Sequence, residues 1–282
     1  MMTLPELAAK DLGSFLASDM RDRFGTSHAR LAELIPFAAR LALDFIGNSD
    51  ALYHNVEHTM LVTLAAHDIF KGRALFMPST PSDYCNFIVA SLTHDIGYVR
   101  GIVKGDGHDG YVVDEIGRKV SLPRGASDAA LAPYHVDRSK LFVMDRLAKV
   151  DELDAPRIAR AIECTRFPYS AATEENVDEE GSLLRAADLI GQLGDPHYLK
   201  KANALYYEFE EIGLNKQLGY ESPADLVDQY PQLYWKSVSS HIQSAISYLN
   251  ITSSGRRWIA SVYSTYFVPS VSSTFPDRSY RW

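Results

Sequence analysis

Along most of this chain apolar residues recur at steps of three and four, the spacing of one face of an α-helix. Leu7, Leu12, Phe15, Leu16 and Met20 mark an amphipathic helix over residues 4–24, which Gly25 is suited to end. A second helix, rich in Ala and Leu, is expected over 31–45, with Pro36 kinking or breaking it. Gly47-Asn48-Ser49-Asp50 is turn chemistry. It leads into Tyr53, His54 and a third helix over 55–70 that buries Val56, Met60, Leu61, Leu64 and Ala65. Residues 84–93 are almost wholly apolar, so that helix should be buried on every side, with Ser82 or Asp83 as its N-cap. Further helices are expected over 137–148, 155–165, 182–193 and 232–248, the last with Val238, Ile242, Ile246 and Leu249 as its buried stripe.

The helical pattern breaks between 101 and 133. Glycines at 101, 105, 107, 110, 117 and 125 mark a long, partly ordered insertion with a short hairpin near 111–120. Strand signals are otherwise sparse. The expected fold class is all-α, with an N-terminal helical segment over 1–48, one main domain over 49–254 and a C-terminal tail over 255–282.

Composition narrows the function. The 282 residues are 46% hydrophobic and 23% charged, as in globular proteins, and the net charge of -8 argues against a basic face that coats long nucleic acid. A local basic cluster can still hold one phosphate. Cys85 and Cys164 have no CxxC spacing and lie in apolar runs, so they are expected as buried free thiols. No apolar run reaches the ~18 to 20 residues of a membrane span, and the first ten residues lack a secretory pattern. A cytoplasmic protein without a membrane partner is the expectation, with homodimerisation left open. The acidic run 173–180 is expected to be a solvated loop.

The chemistry concentrates in three places: Tyr53-His54-Asn55-Val56-Glu57-His58, then Thr93-His94-Asp95-Ile96-Gly97, then Ala186-Ala187-Asp188-Leu189. A His, a His-Asp pair and a remote Asp are a donor set for a divalent metal, since imidazole and carboxylate suit Zn, Mn, Fe or Mg. His94 and Asp95 end a helix that is apolar all round. Ionisable groups there are costly unless paired or bound to a cation. His54 and His58 are four apart and would share a helix face.

These motifs resemble the HD superfamily of metal-dependent phosphohydrolases, over roughly residues 50–250. The segment Tyr53–His58 is similar to the Tyr-His-Asn-x-x-His signature of its cyclic-nucleotide phosphodiesterases, and Tyr206–Glu211 with Gly213 to their later Glu-Phe-plus-Gly segment. The resemblance implies a metal held by His58, His94, Asp95 and Asp188, with Asp95 bridging to a second ion held by His135. It implies His54 as general acid beside Asp95, and His135, Arg138 and Gln243 as substrate contacts, Gln243 reading a purine edge. It departs from the family at Tyr98, where a further His is usual. The implied activity is hydrolysis of a phosphate ester, a cyclic or short nucleotide phosphodiester, with one or two divalent ions. The alternatives are a nucleotide phosphomonoesterase, a diiron oxygenase and a non-catalytic metal-binding sensor.

Overall fold

The computed structural model describes residues 3–167 and 178–266. It is all-α: helices account for nearly all of the regular structure, and the described strands are the two short ones of a single hairpin. Helix α1 (Leu4–Phe24) starts at a capping box in which Thr3 and Glu6 satisfy each other's backbone amides. It packs on α2 (Ala29–Ile46), which runs through Pro36 without ending there. A Cβ on Gly13 would lie 2.7 Å from the Pro36 Cα, so the two helices meet where neither has a bulky side chain.

Helix α3 (Val56–Arg73) is capped by Asn55, whose Oδ1 accepts from Glu57 N and His58 N. Helix α4 (Pro81–Thr93) begins one turn before the expected position. Its N-cap is Thr80, in a capping box with Asp83, so Asp83 serves as the third helical residue. From Tyr84 to Thr93 every residue of α4 is buried, as its composition demands. Helix α5 is His135–Arg146, α6 is Ala155–Glu163 and α7 is Glu179–Leu193. Helices α3 and α7 approach closely: a Cβ on Gly191 would sit 2.8 Å from the Val62 backbone. Helix α8 (Tyr198–Glu211) is followed by three short helical segments and a π-type turn over Tyr234–Val238. The long helix expected from 232 is therefore regular only over α9 (Ser239–Leu249).

The insertion is built rather than loose. Strands β1 (Tyr111–Val112) and β2 (Lys119–Val120) pair antiparallel at the expected place. Arg138 anchors the insertion from below. The expected tail continues the helical domain: α10 (Ser253–Tyr266) crosses the 254/255 boundary, and its Trp258 Nε1 donates to Asp68 Oδ2 on α3 at 2.9 Å. Ser254 Oγ donates to Asp68 Oδ1 at 2.6 Å. Of the acidic run, 173–177 lie outside the described residues. Glu179 and Glu180 are not a solvated loop but the first turn of α7, paired with Arg73 and Arg157. Among the described residues no helix is long and apolar enough to cross a membrane. Cys85 and Cys164 are buried, and neither is in a disulfide among the described residues.

Candidate metal centre

The four expected ligands converge. His58, one turn into α3, places Nε2 3.2 Å from Asp95 Oδ2 and 3.3 Å from Asp188 Oδ1. His94, just past α4, places Nε2 3.1 Å from Asp95 Oδ2 and 3.7 Å from Asp188 Oδ1. Asp188 comes from α7, brought within reach by the close α3–α7 approach one turn further along. His58 and His94 are buried and Asp95 nearly so, while Asp188 leaves the cluster partly open to solvent.

Three of these atoms, His58 Nε2, His94 Nε2 and Asp95 Oδ2, are buried without a hydrogen-bond partner. Buried polar atoms normally have one. The His94 Nδ1 lies 2.8 Å from the Ser91 carbonyl, so Nδ1 carries a proton and Nε2 is the nitrogen turned to the cluster. Ligands about 2.0–2.2 Å from a common ion are separated by roughly 3–3.5 Å in octahedral or tetrahedral arrangements, close to the spacings found here. In charge terms the cluster also wants a cation. Burial pulls the His94 imidazole down, yet Asp95 and Asp188 outweigh it and raise it well above its ordinary value. Burial pushes both carboxyls up, but the imidazoles hold Asp95 and Asp188 below the usual carboxylate range. Two overlapping triads, His58 with His94 and Asp188 and His58 with His54 and Asp95, have the donor types that a divalent ion takes.

The turn that carries the ligands is fixed from outside. Ser139 Oγ donates to the His94 carbonyl at 2.7 Å and accepts from Gly97 N at 2.9 Å. A Cβ on Gly97 would fall 2.0 Å from the His135 carbonyl, so only glycine lets α5 dock this closely.

Arg138 does not reach a ligand. It is fully buried, and all of its donors are used: Nε on the Gly97 carbonyl (2.7 Å), and the two terminal nitrogens on the Val112 and Val99 carbonyls (2.6 and 2.8 Å) and on Asp106 (3.1 and 2.9 Å). Its guanidinium ties the metal turn to the insertion, and the expectation of a substrate contact is corrected. Gln243 is likewise misplaced. It sits exposed on α9, whose buried residues Ile242, Ala245 and Leu249 face α3 and α7, and it belongs to no group at the centre.

His54 is not on α3 as the four-residue spacing suggests; it lies in the bend ahead of the Asn55 cap. Its ring nonetheless meets His58 edge-on at 5.3 Å. Its Nδ1 is 2.5 Å from Glu208 Oε2, and Glu208 Oε1 accepts from Tyr53 N (2.6 Å) and His54 N (3.2 Å). Burial opposes the charged imidazole, but the Glu208 carboxylate overrides it and raises His54 to about 9. Glu208 is the residue that spacing alone missed. It lies in the Tyr206–Glu211 segment singled out from the sequence, but no local pattern ties it to His54. Helix α8 holds it in place: one turn on, Glu211 Oε1 accepts from Ser127 N at 2.6 Å.

His135 opens α5, with Nδ1 2.6 Å from the Ala132 carbonyl and Nε2 3.6 Å from Asp95 Oδ1. Burial lowers it, leaving a neutral ring whose Nε2 lone pair faces the outer oxygen of Asp95. Tyr98 lies between the two outer imidazoles, stacked on His54 at 4.5 Å and on His135 at 4.6 Å. Burial, with Asp95, Glu208 and Asp188 nearby, keeps its phenol well above the ordinary value. His108, in the insertion, is exposed and stands apart.

The model of the Npun_R2479-like family matches residues 4–271, nearly the whole chain. The chain belongs to the Npun_R2479-like family. No curated protein and no solved structure matches it. The match takes in every residue of the centre, so the cluster lies inside the Npun_R2479-like unit.

Proposed function

We propose that this chain is a metal-dependent phosphohydrolase of the HD superfamily, acting on a phosphate ester of nucleotide size in the cytoplasm. The observation that carries the reading is that His58 and His94 each lie within 3.1–3.7 Å of both Asp95 and Asp188, with buried nitrogens that have no hydrogen-bond partner. These four residues would hold the cation. Asp95 Oδ1 and His135 Nε2 offer a two-donor position beside it. The cation supplies charge that polarises a phosphoryl oxygen and eases deprotonation of a water.

The chain's own groups supply the rest. His54 is protonated at neutral pH through Glu208 and faces the cluster, so it suits a general acid: as the ester P–O bond breaks and the bond from water forms, it gives its proton to the departing oxygen. Glu208 fixes the His54 ring and the backbone amides on which it turns. The opening at Asp188 leaves a path for a small ligand, while the buried side of the cluster excludes water.

The test is elemental content of the purified protein, followed by a panel of phosphomonoesters, linear diesters and cyclic nucleotides with Mn²⁺, Mg²⁺ and Fe²⁺. His94→Ala and Asp95→Ala are expected to lose metal and turnover together. Full turnover in either variant would refute the assignment.

A further inference from the structure

Tyr98 carries an inference that rests on the phosphohydrolase reading and goes beyond it. Its ring is gripped on both faces by imidazoles, at interplanar angles of 14° and 21°, and is only 4% exposed. Such a ring has no freedom to swing. Its hydroxyl makes no hydrogen bond among the described residues and is not sealed from solvent, which leaves its oxygen available to a ligand. The two rings that flank it, His54 beside Glu208 and His135 beside Asp95, set the Tyr98 ring at the edge of the centre.

We propose that Tyr98 is a substrate-contacting residue whose hydroxyl donates a hydrogen bond to an oxyanion oxygen of the bound phosphate ester. The stack fixes the ring and so the position of its oxygen before the ligand arrives, so little ordering is lost on binding. A preorganised donor on an oxygen that gains charge is worth more in the transition state than in the ground state. The surroundings are otherwise poor in donors: the nearby guanidinium, Arg138, is spent on Asp106 and backbone carbonyls, and Arg100 is spent on Asp50 and Asp128. A phenol is then the side chain left to meet a non-bridging oxygen that the cation does not.

The experiment compares wild type, Tyr98→Phe and Tyr98→Leu, each loaded with Mn²⁺. The probes are bis(p-nitrophenyl) phosphate as substrate and inorganic phosphate as inhibitor, with metal content and thermal midpoint measured in parallel. Phe keeps the ring between the imidazoles and removes only the hydroxyl. The expected result for Tyr98→Phe is unchanged metal content and midpoint, a drop in kcat/KM of about 10- to 100-fold, and phosphate inhibition weaker by about 10-fold. Tyr98→Leu, which also removes the stack, should lose at least as much and lower the midpoint. Wild-type kinetics and phosphate inhibition in Tyr98→Phe would overturn the inference while leaving the phosphohydrolase reading intact. A wild-type protein that holds metal yet neither cleaves the diester nor binds phosphate would overturn both.

Discussion

The imidazole of His58 and the carboxylate of Asp188, from helices far apart in the chain, meet at 3.3 Å. That meeting is the test of a metal centre, because an imidazole turned aside would leave no room for an ion. Asp188→Asn is expected to lower metal occupancy at least 10- to 100-fold, read by elemental analysis after dialysis. Chelation should lower the thermal midpoint of wild type. At free metal 100 times the dissociation constant, the ion contributes about 2.7 kcal/mol. Asp188→Asn should show little further loss on chelation.

Arg138 and Asp106 form a pair with side chains 0% and 1% exposed, joining the metal turn to the hairpin. Removing one partner leaves a buried charge alone, so Asp106→Asn and Arg138→Met are each expected to cost about 3–5 kcal/mol in denaturant unfolding. A substrate contact would instead raise KM at unchanged stability. Gln243→Ala, on the outer face of α9, should leave both stability and kinetics close to wild type.

Glu208 sets the pH behaviour of His54. A group raised from 6.5 to about 9 adds stability that is fully present below pH 6.5 and lost as pH rises through about 9, so the metal-free protein should weaken over that window. In the loaded enzyme a nearby cation opposes the rise, so activity should fall on the alkaline side at or below pH 9. Glu208→Gln removes the opposing charge. Its alkaline limb should move down by about one unit or more, with kcat lower by about 10- to 100-fold, in a pH–rate profile.

Asp68 holds α10 against α3 through Ser254 and Trp258. Asp68→Ala leaves a half-buried indole N–H without its acceptor and is expected to cost about 1 kcal/mol. Amide exchange should rise first in residues 253–264, with metal content unchanged.

Much of this was legible in the sequence. Apolar spacing or a wholly apolar run marked most of the main helices, and the glycine cluster marked the hairpin, but α8 and α10 carried no such signal and went unmarked. The meeting of His58 with His94, Asp95 and Asp188 was expected from the motifs and the resemblance they carry, and His94, Asp95 and Asp188 also stood on apolar helices, where only pairing or a cation makes an ionisable group tolerable. The failures are long-range. Nothing near Arg138 reveals that its guanidinium closes on Asp106 and three carbonyls, so its charge read as a ligand contact. Gln243 sits on a helix whose orientation only packing decides. Glu208 joins His54 across the chain, and the spacing of His54 and His58 hid a cap between them. Thr80 was overlooked because the proline after it masks a helix start that proline in fact favours.

The stitching of Ser139 to both His94 and Gly97 has a kinetic consequence. Helix α5 cannot seat until the turn it clasps has its final shape, and that turn cannot hold its shape without α5. An ion that needs donors from α3, from this turn and from α7 is therefore captured only after the long-range docking is complete. During refolding, metal uptake should coincide with the last and slowest phase and serve as a chronometer for it.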